Sequence, residues 1–97
     1  MKITLNKIHE LDYRWGHGRT VEIFNIVVKT ERGRGYGTTM LEKLIKISRG
    51  RGMKRIYAFT RKENEPAHRF YEKNGFIGTD LINFYPDGDA KIFIKEI

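Results

Sequence analysis

Residues 31–41, ERGRGYGTTML, form a glycine-rich segment between two stretches of different periodicity. The stretch before it, residues 21–28, is apolar on both faces at most positions, which is typical of a central strand covered on both sides. After it, apolar residues recur at helical spacing from Met40 to Ile45. The sequence therefore predicts a buried strand, a glycine loop and a helix N-terminus in direct succession.

A glycine loop in this position has the chemistry of an anion site. The first N–H groups of a helix have no intrahelical partner, and the helix dipole is positive there. Gly33, Gly35 and Gly37 let the backbone approach an anion closely, and Arg32 and Arg34 add positive charge. The spacing matches neither a Walker A loop nor G-x-G-x-x-G. The loop alone therefore leaves two alternatives, a phosphate site and a flexible connector.

Alternating and helical patterns predict the other elements, in the order β-β-β-α-β-α-β-β. The expected strands lie near residues 2–8, on both sides of a turn at 16–18, and at 55–60, 76–84 and 90–97, and the expected helices lie at 37–49 and 64–75.

Three residues are expected to set the helix ends. Gly50 suits the left-handed position that ends the first helix, Asn64 suits the N-cap of the second, and Gly75 suits its end.

Charge and cysteine content narrow the expected function classes. The 97 residues, expected to form one domain over 1–97, have a formal net charge of +7, which favours anionic partners. The chain has no cysteine, which excludes thiolate nucleophiles and cysteine-ligated zinc and fits a reducing compartment. No apolar run reaches the roughly 20 residues of a membrane span, and the N-terminus lacks the apolar core of a signal peptide. We therefore expect a cytoplasmic protein without membrane contact.

Two motifs in this order resemble the GNAT superfamily of N-acetyltransferases. The first is Arg32-Gly33-Arg34-Gly35-Tyr36-Gly37 between a strand and a helix, and the second is NEPAHRFYEKNGF, residues 64–76. The resemblance covers residues 20–97 and implies an α/β (α+β) fold with a mixed, mostly antiparallel sheet whose central strands splay apart. Family members usually have helices before the central hairpin, and these N-terminal helices are missing here. The acceptor side is then open, or completed by a partner subunit, as in a homodimer.

The resemblance also implies which residues bind acetyl-CoA, the acyl-donor substrate. Backbone N–H groups from Arg32 to Thr38 would hold the pyrophosphate, the strand end at residues 26–28 would pair with the pantetheine arm, and Asn64 would contact that arm. Basic side chains would bind the outer phosphates. The expected set is Ile26, Val27, Val28, Arg32, Gly33, Arg34, Gly35, Tyr36, Gly37, Thr38, Asn64, Arg69 and Lys73.

Two residues are expected to be catalytic on the same resemblance. Tyr71 would protonate the departing thiolate, because a phenol with a pKa of about 10 is still protonated at neutral pH. Glu22 is the first candidate for the general base, ahead of His9, Asp12 and His17. The histidines show no spacing typical of a metal site, so no metal is expected.

Several functions remain open at this point. The resemblance favours an acetyl-CoA-dependent N-acetyltransferase that acts on a primary amine, a lysine or N-terminus of a protein, by direct attack in a ternary complex. The alternatives are a polyamine or antibiotic acetyltransferase, a non-catalytic acyl-CoA-binding module, and a basic nucleic-acid-binding protein that uses RGRG at 32–35 and 49–52. The position of the first RGRG between a strand and a helix disfavours the last alternative.

Overall fold

The computed structural model describes residues 1–29 and 34–97. Its element order is the predicted one, β-β-β-α-β-α-β-β, and no helix precedes the central hairpin in the described residues. The elements are β1 Lys2–Leu5, β2 His9–Trp15, β3 Thr20–Val27, α1 Tyr36–Gly50, β4 Arg55–Arg61, α2 Glu65–Lys73, β5 Ile77–Tyr85 and β6 Gly88–Glu96.

The strands form one six-stranded sheet in the order β1-β2-β3-β4-β6-β5. Only β3 and β4 are parallel, and the other neighbouring pairs are antiparallel. The parallel pairing covers Thr20–Ile23 and Arg55–Ala58 and stops there, although β3 continues to Val27 and β4 to Arg61. The predicted separation of the two central strands is therefore confirmed.

Both helices pack on one face of the sheet. Leu41 and Leu44 of α1 and Tyr71 of α2 belong to one hydrophobic core with Ile23 and Phe93 of the sheet. Phe93 lies opposite Ala58, which in turn lies opposite Ile23, so these side chains project from the same face. Since the opposite face receives no helix from the described residues, its side chains are open to ligands or partners.

The helix ends follow the expected capping chemistry with one exception. Asn64 Oδ1 accepts a hydrogen bond from the Ala67 N–H at 3.3 Å, and Gly75 has a left-handed φ of 86°, as predicted. The prediction for Gly50 is wrong, because Gly50 lies inside α1 and Gly52, with φ 76°, takes the left-handed conformation after the helix. No helix in the described part of the chain has the length and the apolar character needed to cross a membrane.

Candidate active site

A cleft of about 600 Å³ opens where β3 and β4 separate. Ile26 and Val28 line one side of this cleft, Phe59 and Thr60 line the other, and residues from the first turn of α1 and from α2 close its ends. The unpaired edge of β3 faces the gap, because the β4 pairing has ended at Ile23. An extended ligand with amide groups can therefore pair with this edge as a strand would.

The N-terminus of α1 lies at one end of the cleft. Gly35 is the N-cap with φ 76°, and no side chain among the described residues caps the helix. The N–H groups of Tyr36, Gly37 and Thr38 have no intrahelical acceptor and lie at the positive end of the helix dipole. All three residues line the cleft, as does the exposed Arg34. This end of the cleft is suited to bind a phosphate group.

The buried His9 of β2 contacts Lys29, which follows β3, and Tyr36, the first residue of α1. The His9 ring stacks on Tyr36 with centroids 4.4 Å apart, and its Nδ1 accepts a hydrogen bond from the Lys29 backbone N–H at 3.2 Å. Tyr36 is thus a packing residue of the first turn of α1 as well as part of the cleft wall. His9 links β2 to the residues on both sides of the glycine segment through these two contacts.

Tyr71 of α2 lines the cleft from the helix side. Only 6% of the residue is exposed, and its ring stacks on Phe93 at 5.3 Å and meets Phe70 and Phe76 edge-on. Burial raises the pKa of the Tyr71 hydroxyl well above its ordinary value of 10.0. The phenol therefore keeps its proton throughout the neutral range and can act as a proton donor.

Glu22 lies on the open face of the sheet. Its Oε1 accepts a hydrogen bond from Arg14 Nε at 2.8 Å, and it lines a second cavity, of about 350 Å³, with Phe24, Phe59, Phe84 and Tyr85. The two cavities share Ile23, Phe24 and Phe59. Candidate acid and candidate base are thus on opposite sides of the separated strands.

The aromatic residues around the second cavity contact one another. Phe59 and Phe84 stack with ring centroids 4.8 Å apart, and the Arg14 guanidinium lies 4.5 Å from the centre of the Phe24 ring. Glu22 also faces Tyr57, whose pKa is raised by burial and by the Glu22 charge. This surface can accommodate a cation next to an apolar group.

Most of the predicted site residues meet in the cleft. Those that line it are Ile26, Val28, Arg34, Gly35, Tyr36, Gly37, Thr38, Asn64, Tyr71 and Lys73. Val27, Arg69 and Glu22 are not among the lining residues, and Val27 projects toward the open face because it lies opposite Glu10. Arg32 and Gly33 lie outside the described residues.

The other candidate bases lie elsewhere. Asp12 accepts a hydrogen bond from the Asn25 side chain at 2.9 Å on the open face, and His17 lies in the exposed turn between β2 and β3. Within residues 1–29 and 34–97, no group of three or more His, Asp or Glu side chains could hold a metal ion.

Thr60, Phe24 and Phe59 also line the cleft and were not among the predicted site residues. A signal for Thr60 exists in RIYAFT, where it follows Ile56 and Ala58 at the two-residue period of a covered strand face. Thr60 is thus the polar residue in an otherwise apolar row on this face of the strand.

Comparisons with known proteins agree with this geometry. The sequence model of the acetyltransferase (GNAT) family matches residues 3–76. YwnH of Bacillus subtilis (strain 168), whose name assigns it provisionally to the phosphinothricin acetyltransferases, is 27% identical over 84 residues. That match covers 87% of this chain and 52% of YwnH, so the chain spans about half the length of this curated relative.

Solved structures share the fold. The ribosomal-protein-S18-alanine N-acetyltransferase from Escherichia coli is 30% identical, with a TM-score of 0.76 over 97% of this chain and 65% of that one. A Bacillus anthracis protein provisionally named a streptothricin acetyltransferase, solved with acetyl coenzyme A, has a TM-score of 0.86 at 22% identity, over 93% and 56% of the two chains. At that identity the likeness concerns the fold alone. With the family model matching most of its length, this chain belongs to the acetyltransferase (GNAT) family.

Proposed function

We propose that this chain transfers the acetyl group of acetyl-CoA to a primary amine of a protein, a lysine or N-terminus, by direct attack in a ternary complex. The observation that supports this most is the cleft between β3 and β4, with an uncapped helix N-terminus at one end and the buried Tyr71 phenol in its wall. The pyrophosphate of acetyl-CoA requires an anion site, and its amide-bearing arm requires an unpaired strand edge. The departing thiolate requires a proton donor.

The cofactor lies along the cleft in this proposal. Its pyrophosphate binds the N–H groups of Tyr36, Gly37 and Thr38, with Arg34 and Lys73 supplying positive charge. Its pantetheine amides pair with the edge of β3 at residues 26–28, where β4 no longer competes for the backbone groups. Asn64 uses its carbonyl oxygen to cap α2, so its side-chain N–H₂ group is directed to the arm.

The chemistry needs no covalent enzyme intermediate. The neutral amine nitrogen attacks the thioester carbonyl carbon and forms the N–C bond, and collapse of the tetrahedral species breaks the C–S bond. Tyr71 donates its proton to the leaving sulfur. Glu22, on the acceptor side, accepts the proton that the amine loses, directly or through a water molecule.

The open face supports a bulky acceptor. The second cavity opens on that face and shares lining residues with the cleft, and its residues Phe24 and Phe84 are each about half exposed. No helix of the described residues covers this approach, so a polypeptide chain can reach it. The Escherichia coli structure named above also takes its name from an alanine of a ribosomal protein.

Two measurements on the wild-type protein test this function. Isothermal titration should show that acetyl-CoA binds more tightly than ATP, which has phosphates but no pantetheine arm. Release of the CoA thiol, followed with a thiol reagent, should then be faster with peptides that present a free N-terminus or lysine than with spermidine or an aminoglycoside.

The outcomes separate the alternatives. Binding of acetyl-CoA without CoA release from any amine would indicate a non-catalytic acyl-CoA-binding module. Faster turnover with spermidine or the aminoglycoside would refute the protein acceptor. Absence of acetyl-CoA binding, together with salt-sensitive binding of RNA or DNA, would indicate the nucleic-acid-binding alternative.

A further inference from the structure

Thr60 is a polar residue on the covered face of β4. Side chains alternate along a strand, so Thr60 projects in the same direction as the buried Ile56 and Ala58, and only 7% of it is exposed. Ala58 is the last β4 residue opposite β3. Thr60 therefore follows directly after the point where the two strands separate, and it lines the cleft.

The Thr60 hydroxyl is buried, and its Oγ1 has no hydrogen-bond partner among the described residues. A buried hydroxyl without a partner is unfavourable, and most such groups in native proteins are paired. Valine has nearly the same shape and would fill the position without this cost. A threonine that faces a cleft with an unpaired hydroxyl indicates that the partner is a ligand.

The position of Thr60 selects which part of the ligand it meets. The phosphate end of the cleft is at the N-terminus of α1, where the buried Thr38 hydroxyl likewise has no partner in residues 1–29 and 34–97. Thr60 lies instead on the strand, and Tyr71 lines the same cleft. The arm of the cofactor between its phosphates and its sulfur carries amides and a hydroxyl, and the acyl group adds one thioester carbonyl. The amides and the thioester offer carbonyl oxygens that can accept a hydrogen bond from the Thr60 hydroxyl.

We infer that Thr60 Oγ1 donates a hydrogen bond to a carbonyl oxygen of the acyl-pantetheine arm. This inference rests on the proposed function, since it assumes that acetyl-CoA occupies the cleft. It makes Thr60 a cofactor-binding residue that is paired only in the complex. The unpaired hydroxyl destabilises the free protein, and its hydrogen bond stabilises the complex. Removing the hydroxyl should therefore raise the stability of the free protein and lower its affinity for acetyl-CoA.

The test uses Thr60→Val, with Thr60→Ser as the variant that keeps the hydroxyl. Ser48→Ala is the matched control, because Ser48 also has a buried hydroxyl without a described partner but lies in α1 away from the cleft. Melting temperatures of the free proteins are measured first, and acetyl-CoA, CoA and ADP are then titrated into each by calorimetry.

We expect Thr60→Val to melt at the same or a higher temperature than wild type and to bind acetyl-CoA about 3- to 10-fold more weakly. Its affinity for ADP, which has no pantetheine arm, should be unchanged. Thr60→Ser should regain most of the affinity that Thr60→Val loses, and Ser48→Ala should bind acetyl-CoA as wild type does. An equal loss with CoA assigns the hydrogen bond to the pantetheine arm, and a loss with acetyl-CoA alone assigns it to the acetyl carbonyl.

Three results would overturn the inference. An unchanged acetyl-CoA affinity in Thr60→Val removes the hydrogen bond to the ligand. A melting temperature several degrees lower indicates that the hydroxyl has a partner inside the protein. Failure of wild-type protein to bind acetyl-CoA removes the proposed function as well, and this outcome is distinguishable because it appears before any variant is made.

Discussion

Gly35 and Gly52 lie at opposite ends of α1 in nearly identical backbone environments. Both have φ 76°, and a Cβ atom added to either would meet no atom of the described residues within 4 Å. Alanine in the left-handed region costs about 1–2 kcal/mol. Because each kcal/mol lowers the melting temperature of a domain this small by about 4–8 °C, Gly35→Ala and Gly52→Ala should each lower it by about 4–16 °C.

The two substitutions should differ in cofactor binding. Gly35 lines the cleft and orients the N–H groups of the first turn of α1, whereas Gly52 follows the other end of the helix. A turn displaced by alanine at 35 loses at least one hydrogen bond to a charged phosphate, worth about 1.5–3 kcal/mol. Acetyl-CoA should therefore bind Gly35→Ala about 10- to 150-fold more weakly than wild type and Gly52→Ala with unchanged affinity.

The assay is calorimetric titration of acetyl-CoA, CoA and ADP at a temperature at which both variants are folded by circular dichroism. All three ligands should lose affinity for Gly35→Ala, since they share the pyrophosphate. Equal affinities of the two variants would refute the assignment of the phosphate site to the N-terminus of α1.

Substitutions at three further positions and one pH effect follow from the site. Tyr71→Phe removes the hydroxyl, so kcat should fall about 100-fold or more. The ring contacts remain, so acetyl-CoA affinity should stay unchanged. An unchanged kcat would exclude the acid role. Glu22→Gln should lower kcat/KM for the amine, and unaltered kinetics would exclude the base role. The free energy of unfolding should change by about 1 kcal/mol or less, because the ion-pair partner Arg14 is 60% exposed. Asn64→Ala should lower the free energy of unfolding in urea by about 1 kcal/mol, and Asn64→Asp, which keeps a capping oxygen, should lower it less. Equal losses in the two variants would contradict the capping role of Asn64. The pKa of Tyr71 is raised in the folded state, so the unfolded chain loses this proton at a lower pH than the folded protein does. The free energy of unfolding should therefore fall above about pH 10, more steeply in wild type than in Tyr71→Phe. Parallel curves of the two proteins would contradict the burial argument.

The element order could be predicted because each element has a strong local pattern. The helical spacing from Met40 onward, the Asn64 cap and the alternating final strand depend on nearby residues, and the structure confirms all three elements. The end of α1 was mispredicted because Gly50 and Gly52 are both compatible with helix termination. The choice depends on where the chain must turn to enter β4, which is a tertiary constraint.

The site was only partly predictable for the same reason. The glycine loop and the second motif indicate which residues gather around the cofactor. The ion pair of Glu22 with Arg14 and the irregular register that places Phe24 beside both cavities depend instead on how β2 pairs with β3. Thr60 can be recognised in the sequence as a polar residue in an apolar pattern. That its hydroxyl has no hydrogen-bond partner among the described residues becomes apparent only from the structure, in which β3 and β4 separate beside it.

The central claim is that acetyl-CoA lies between β3 and β4 with its phosphates at the N-terminus of α1. Amide chemical shifts of ¹⁵N-labelled wild-type protein during an acetyl-CoA titration test it most directly. The largest shifts should occur at Tyr36, Gly37 and Thr38 and along residues 26–28, and Gly52 and β1 should be unaffected. Shifts that leave the first turn of α1 unchanged, or that lie on the open face of the sheet, would contradict the account.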